Sequence, residues 1–184
     1  MQAIEIMVKE HENIRRMLKV IRKLSYQVMI QGNYDLEDIP KVIDFVRTYA
    51  DKLHHGKEED ILFKAMSEKI ERLAKSGAIT GMYIEHDNGR LYMANLEKAI
   101  EKFKQGHDEA RLDIIANAIS YAELLDRHIE KENTAMYKFA ENMLDDSTKA
   151  YVDEESKKVD IKMEEYGIQK KYLDILDEFE KKYL

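Results

Sequence analysis

Apolar residues recur at helical spacing along almost the whole chain, and very few residues interrupt that pattern. The 184 residues include one proline and seven glycines, whereas strong helix formers such as Glu, Lys, Leu, Ala and Met are abundant. Such a composition is typical of all-α proteins. The length suits one ordinary domain with a sizeable core, with or without an extension. The sequence therefore predicts an all-α fold.

A small number of breaks divides the pattern into four long helices. Turn or cap signals stand at Gln31-Gly32-Asn33, at Asp38 and Pro40, at Ser76-Gly77 and Gly81, and at Gln105-Gly106-His107-Asp108. They predict helices over about residues 3–30, 38–75, 81–104 and 108–144. Because short links between long amphipathic helices favour antiparallel neighbours, we predict an up-down-up-down four-helix bundle over residues 1–146.

Residues 147–184 are more charged but keep a helical pattern, with a break at Gly167. We interpret them as an appended C-terminal helical arm and not as a second domain. The apolar stripe of the arm has to be buried somewhere. We expect it to pack on the bundle or to form a homodimer, and a dedicated protein partner is a third option.

Whole-chain features exclude several classes of function. The formal net charge of −7 argues against general nucleic-acid binding, which needs a basic face. The chain lacks a long apolar run, and acidic residues interrupt its amphipathic N-terminus, so neither a membrane span nor a signal peptide is predicted. Cysteine is absent, which excludes disulfides, thiolate metal sites and thiol catalysis and fits a cytoplasmic protein.

The second half of the predicted bundle resembles the first half. His11-Glu12-Asn13-Ile14-Arg15 resembles His86-Asp87-Asn88-Gly89-Arg90, and His54-His55-Gly56-Lys57-Glu58 resembles His128-Ile129-Glu130-Lys131-Glu132. The interval between the two motifs is nearly equal in the two halves. This repeat indicates two related helical hairpins that face each other.

Six residues of these motifs lie on the apolar faces of the predicted helices. Residues four apart share one face of a helix. His54 with Glu58 and His128 with Glu132 are two such pairs, and apolar residues precede and follow both pairs at helical spacing. His11 and His86 also lie on apolar stripes. Each helix is thus predicted to direct one histidine into the core, and two helices also direct a carboxylate there.

A pair of metal ions would compensate these buried groups. Uncompensated buried carboxylates are destabilising and repel each other, whereas two cations between them remove both problems. Mixed histidine and carboxylate ligands suit iron or manganese, with zinc as a further option. We predict one metal at His11 and His54 and the other at His86 and His128. Glu58 and Glu132 are predicted to bridge them, with a solvent-derived oxo or hydroxo group as a third bridge and incomplete coordination that admits a small molecule.

Four motifs resemble the hemerythrin-like (HHE cation-binding) family over about residues 3–144: KEHENIRRM, HHGKEEDILF, EHDNGR and RHIEKENTAMY. The resemblance implies a four-helix bundle with a carboxylate-bridged non-heme di-iron centre that meets dioxygen or related small molecules. Oxygen-carrying hemerythrins have His-x-x-x-His in the third helix and His-x-x-x-x-Asp in the fourth. This chain instead has Arg90 one turn after His86, and Glu132 after His128. The departure leaves redox chemistry, sensing and iron handling as alternatives to reversible oxygen carriage.

Other polar residues near these motifs receive more ordinary interpretations. His55 and Glu59 have polar helical neighbours such as Asp51, so we assign them to the surface or to positions behind the ligands. Tyr83 and Tyr121 are interpreted as core residues. The orientations of Arg15 and Arg90, towards the glutamates or towards solvent, stay open, and His107 is expected in an exposed loop.

Three functional hypotheses follow from this ligand set. The leading one is a non-heme di-iron protein that binds or reacts with dioxygen, peroxide or nitric oxide; iron could be replaced by manganese or by a mixed pair. The second is an iron- or oxygen-responsive regulatory or iron-handling protein in which metal occupancy controls stability and the arm contacts a partner. The third is a structural bundle without metal. No catalytic residue is assigned.

Overall fold

The computed structural model describes residues 1–30 and 36–184, and every regular element within those ranges is a helix. The predicted all-α fold is therefore confirmed, whereas the predicted turn at Gln31-Gly32-Asn33 lies outside the described residues. The α-helices are α1 (Gln2–Ile30), α2 (Ile39–Phe45), α3 (Phe63–Lys69), α4 (Glu71–Ser76), α5 (Ala78–Lys104), α6 (Ala110–Lys131), α7 (Tyr137–Met143), α8 (Asp146–Glu165) and α9 (Ile168–Tyr183). Three further segments are π-helical: π1 (Val46–His55), π2 (Glu58–Leu62) and π3 (Glu132–Met136).

Four long helices form the bundle. The first is α1, the second runs from α2 through π1 and π2 into α3, the third is α5, and the fourth runs from α6 through π3 into α7. Helix α5 packs on α6, α6 packs on α1, and π1 contacts both α1 and α5. The four helices therefore enclose one common core. None of the described helices combines the length and the hydrophobicity that a bilayer crossing needs.

The second bundle helix ends earlier than the sequence pattern predicts. At Ile70 the backbone leaves the helical region (φ −120°, ψ 85°), and the chain then forms the short α4. Ile70 and Leu73 are both buried, so this bend keeps two apolar side chains in the core. Gly77 adopts a left-handed conformation with φ 75°, which glycine does without a steric penalty. The next helix begins at Ala78, three residues before the predicted start.

The bundle core consists of two apolar clusters with a polar layer between them. One cluster includes Ile4 and Met7 from the start of α1 together with Leu62 and Met66. The other cluster begins at Ile14 of the same helix and extends over the opposite part of the bundle. The α1 residues between the two clusters include His11, which is buried. The polar layer is therefore enclosed by apolar side chains at both ends.

The arm formed by α8 and α9 packs along α1 and the second bundle helix. Asp145 caps α8 by accepting a hydrogen bond from the Thr148 amide. Arg16 of α1 forms ion pairs with Asp177 and Glu180 of α9. The apolar stripe of the arm is buried against the bundle through Val152, Tyr172, Leu176 and Phe179. The division of the chain at residue 146 and self-association remain predictions.

Candidate metal centre

All six residues that the sequence analysis selected meet in the polar layer. They come from four helices: His11 from α1, His54 from π1, Glu58 from π2, His86 from α5, His128 from α6 and Glu132 from π3. Each is at most 1 % exposed. The helical pattern therefore placed these side chains correctly in the core.

The four histidines form two pairs whose inner nitrogens face each other. His11 Nε2 lies 2.7 Å from His54 Nε2. His86 Nε2 lies 2.8 Å from His128 Nε2. These are the two pairs that the sequence analysis assigned to the two metals.

An oxygen atom lies beside the outer nitrogen of each of these histidines. The four Nδ1 contacts are His11 with Asn133 Oδ1 (2.8 Å), His54 with Glu10 Oε2 (2.8 Å), His86 with Glu59 Oε1 (2.6 Å) and His128 with Glu85 Oε2 (2.8 Å). Since carboxylate and amide oxygens accept hydrogen bonds, each Nδ1 carries the proton and donates it. The Nε2 atoms then present lone pairs, and two facing lone pairs cannot form a hydrogen bond. A cation bound by both nitrogens removes this repulsion, and histidine ligands of metals are commonly held in this way.

The two glutamates are placed between the histidine pairs. Glu132 Oε2 lies 3.2 Å from His11 Nε2, and Glu132 Oε1 lies 3.1 Å from His128 Nε2. Glu58 Oε2 lies 3.6 Å from the Nε2 atoms of both His54 and His86. Each carboxylate therefore reaches both histidine pairs, which is the arrangement that a bridging ligand requires.

The inner carboxylate oxygens are buried without hydrogen-bond donors. Among the described residues, Glu58 Oε2 and both oxygens of Glu132 have no hydrogen-bond partner. The other oxygen of Glu58 accepts a 2.5 Å hydrogen bond from the Tyr137 hydroxyl. Buried anionic oxygens are strongly destabilising unless a cation or a donor compensates them. The donor set thus fits a metal pair, because three orphaned carboxylate oxygens and four imidazole nitrogens converge in one buried layer.

The protonation of this layer differs between its histidines: burial acts to lower the pKa of His86, but interactions with the Glu132 and Glu59 carboxylates outweigh it and raise that pKa. Burial, together with the neighbouring His11, lowers the pKa of His54 well below its ordinary value of 6.5. Neutral imidazoles are the form that ligates metals. Burial, together with the charge of Glu132, raises the pKa of Glu58 well above its ordinary value of 4.5. The two carboxylates therefore do not both stay ionised without a cation beside them.

His55 also lies in this layer, so the surface alternative of its prediction was wrong. It is 5 % exposed, and its ring stacks on the ring of His86 with 3.8 Å between centroids. Burial, and then the neighbouring His86, lowers the pKa of His55 to about 3. Ligand atoms within 4.8 Å of one another form two groups: His11, His54, Glu58 and Glu132, and His55, Glu58, His86 and His128. His55 thus joins the second histidine pair, and Glu58 belongs to both groups.

The π-helical backbone explains why both His54 and His55 point inward. The Gly56 amide donates to the Asp51 carbonyl, five residues earlier, whereas an α-helix would use a carbonyl four residues earlier. The wider turn rotates successive side chains less, so two neighbours share the inner face. In the sequence, Asp51 stands one turn before His55 and favoured a polar face, whereas in the structure its carboxylate lies 3.3 Å from His55 Nδ1.

The residues that support the histidines follow the same repeat as the histidines themselves. Glu10 and Glu85 directly precede the lone histidines of the two halves, and each holds the histidine of the following helix. Glu59 and Asn133 directly follow the inner glutamates and hold the lone histidines. Three of these supporting residues, Glu10, Glu85 and Asn133, were not predicted from the sequence, although the positions beside the ligands match between the two halves. Glu59 lies behind the ligands, as one of its two predicted alternatives stated.

A buried lysine links this centre to the arm. Lys57 is 1 % exposed, and its Nζ lies 2.6 Å from Glu10 Oε1 and 2.6 Å from Asp160 Oδ1 of α8. Since Glu10 also holds His54 Nδ1, an unbroken set of contacts runs from the arm to a histidine of the centre. The equivalent lysine of the other half, Lys131, contacts Glu85 but is about half exposed.

The two arginines of the motifs point away from the inner glutamates. Arg15 pairs with Asp126 and Glu130. Arg90 pairs with Asp51, Asp87 and Glu59 at the surface. His107 is exposed, and the Tyr83 hydroxyl donates to the Glu59 carbonyl without reaching the centre. Of the two orientations left open for Arg15 and Arg90, the one towards solvent is therefore correct for both.

Comparison with known proteins gives one match. The family model of the hemerythrin HHE cation-binding domain matches residues 2–140, which contain all seven inward histidines and glutamates. No curated protein and no solved structure matched the chain. The matched range covers most of the chain and the whole four-helix bundle up to α7. The chain therefore belongs to the hemerythrin HHE cation-binding domain family.

Proposed function

We propose that this protein is a non-heme di-iron protein that binds or reacts with dioxygen or a related small molecule such as peroxide or nitric oxide. The convergence of four imidazole lone pairs and three unpartnered carboxylate oxygens in one buried layer supports this function. A bundle without metal would leave these groups uncompensated, which makes the structural hypothesis the weakest.

The proposed ligands fall into two sets that share the glutamates. His11 and His54 would hold one iron, and His55, His86 and His128 would hold the other. Glu58 and Glu132, which lie between the two histidine pairs, would serve both ions. Nitrogen and oxygen donors together suit iron and manganese, whereas magnesium and calcium prefer sites of oxygen alone. Iron is favoured because the chain belongs to the hemerythrin family.

Each side chain has a defined task in this proposal. When bound, the metal pair would supply redox chemistry. The outer carboxylates and Asn133 keep the histidine tautomers fixed, so that every Nε2 is available. Tyr137 holds a proton at Glu58 Oε1 and fixes the plane of that carboxylate. The apolar clusters cover the layer at both ends of the bundle.

The first experiment is the iron content of freshly purified protein. We expect about two irons per chain. A variant with His54→Ala and His128→Ala should lose them, whereas His107→Ala, which changes an exposed histidine, should keep them. The reduced wild type should then change its optical spectrum when it meets dioxygen, peroxide or nitric oxide. A metal-loaded protein that responds to none of the three would refute the proposed reactivity.

The Glu10–Lys57–Asp160 contacts favour a second candidate function, an iron- or oxygen-responsive regulator. Metal binding stabilises the folded chain, and these contacts transmit that stabilisation to the arm. Metal-free protein should melt at a lower temperature, and a protease should cleave within α8 or α9 sooner than in the loaded protein. Equal melting temperatures with and without metal would rule out this function.

A further inference from the structure

A cavity of about 120 Å³ lies on the side of the centre that carries His55 and His86. Both of these imidazoles line it, and Gly89 and Tyr121 line it as well. An engineered cavity of roughly 150 Å³ in another protein holds benzene. This cavity therefore has room for a molecule of a few heavy atoms, and one of its walls is formed by proposed metal ligands.

Tyr121 supplies an unused hydrogen-bond donor to the cavity. Its side chain is buried, and among the described residues its hydroxyl has no hydrogen-bond partner. Burial raises the pKa of Tyr121 far above its ordinary value, so that the phenol stays protonated at neutral pH. A buried hydroxyl without a partner is costly, and a ligand that accepts a hydrogen bond would remove that cost.

The absence of a side chain at Gly89 creates part of the space. Gly89 follows His86 by three residues on α5, and a Cβ atom built there would lie 3.5 Å from Tyr121 Cε2. That distance is ordinary van der Waals contact, so alanine fits, whereas a larger side chain would extend into the cavity. The cavity is also lined by Asp51 and Arg90, which pair with each other and are partly exposed.

We propose that this cavity is the binding site of the small molecule that the centre handles, and that the Tyr121 hydroxyl donates a hydrogen bond to it. The ligand class is a molecule of two to four heavy atoms that accepts hydrogen bonds, such as a small oxygen or nitrogen species. The bound molecule would lie between the imidazoles of His55 and His86 and the side chain of Tyr121, all of which line the cavity. This inference rests on the proposed function, since it names where and by which residue that molecule is recognised.

Azide is the probe, and the experiment uses the metal-loaded full chain. The dissociation constant and association rate of azide are measured by optical titration and stopped flow, and metal content is measured for every variant. Tyr121→Phe should weaken azide binding by about tenfold or more and shift its absorption band, because one hydrogen bond to an anion is lost. Gly89→Leu should slow the association of azide by about tenfold or more, because the leucine side chain would extend into the cavity.

Two matched controls separate the cavity from general effects. Tyr49→Phe removes a buried hydroxyl that accepts a hydrogen bond from Asn13 and does not line the cavity. Gly89→Ala adds only the tolerated Cβ atom. Both controls should bind azide as the wild type does, with unchanged metal content.

The outcomes distinguish the two proposals. If the wild type binds azide and Tyr121→Phe and Gly89→Leu bind it equally well and equally fast, the cavity is not the site and this inference is overturned. The proposed function then stands. If the metal-loaded wild type responds neither to azide nor to dioxygen, peroxide or nitric oxide, both proposals are overturned.

Discussion

Replacement of Lys57 by methionine should destabilise the protein strongly, although methionine has a similar length. Among the residues that the structure describes, Lys57 is the only lysine or arginine in contact with the Glu10 and Asp160 carboxylates, and its Nζ lies 2.6 Å from each. Burial already raises the pKa of both carboxyl groups, even with the lysine present. Removal of one partner from a buried ion pair costs about 3–5 kcal/mol. For a chain of this length, that cost should lower the melting temperature by roughly 6–20 °C.

The repeat provides a matched control for this substitution. Lys131 occupies the equivalent position in the other half, contacts Glu85, and is 47 % exposed. Surface ion pairs contribute about 0–1 kcal/mol, so Lys131→Met should lower the melting temperature by only a few degrees. The difference in melting temperature between the two variants measures how much burial increases the contribution of this lysine–glutamate contact to stability.

A double-mutant cycle tests whether Lys57 acts through the arm. Asp160→Asn alone should cost about 1.5–3 kcal/mol, because a charged hydrogen bond is lost while Lys57 still pairs with Glu10. Combined with Lys57→Met it should cost less than the sum, since one of the two stranded carboxylates is gone. Thermal unfolding of metal-free protein is the assay. Additive losses, or a shift below about 2 °C for Lys57→Met, would refute the reasoning.

Further substitutions test other contacts of the structure. Loss of a residue that hydrogen-bonds to a metal ligand weakens metal binding by roughly 10–100-fold, and His55→Ala should weaken it by at least as much. His107→Ala should leave metal binding unchanged. Equal metal affinities of the His55→Ala variant and the wild type in a chelator titration would exclude His55 as a ligand. Tyr137→Phe should lower the unfolding free energy of the metal-free protein by about 1–3 kcal/mol, because the hydrogen bond to Glu58 is lost. An unchanged midpoint of unfolding in a denaturant titration would contradict that contact. Burial acts to raise the pKa of Asp38, but hydrogen bonds from Lys182, Tyr183 and Lys41 outweigh it and lower the pKa from 3.8 to about 2. The resulting stabilisation is present above about pH 4 and is lost as the pH falls towards 2. Asp38→Asn should therefore destabilise the protein by about 1 kcal/mol at pH 7, a figure that allows for solvent screening of the half-exposed lysines. Near pH 2 the substitution should have no effect. A difference in melting temperature between variant and wild type that does not depend on pH would contradict this assignment.

The sequence predicts the bundle and six of the seven inward polar residues because both depend on periodicity. In a chain in which 36 % of residues are charged, one His-x-x-x-Glu pair is weak evidence, but the repeat places such a pair on an apolar stripe twice. His55 escaped this reasoning because its position depends on π-helical hydrogen bonds. Those bonds form through tertiary packing, whereas α-helical periodicity was the only rule available for the sequence.

The helical pattern of the sequence also does not predict contacts between segments that are distant in the chain. Lys57 resembles any solvent-exposed lysine in the sequence, and only its position beneath α8 reveals that it is buried between two carboxylates. Asp160 stands in a highly charged segment and gives no sign of its contact with a residue 103 positions earlier. The break at Ile70 likewise depends on which side chains the core accepts.

The position of the arm in the chain has a consequence for the order of biosynthesis. Every proposed metal ligand, together with Glu10 and Lys57, precedes residue 133, whereas the carboxylate that covers Lys57 belongs to α8. At a typical elongation speed, the ribosome needs roughly 3–10 s to add residues 133–184. During that interval every ligand residue has been synthesised, whereas the arm is still incomplete and not yet docked. Iron delivered while translation continues would therefore meet a more open protein than iron delivered afterwards.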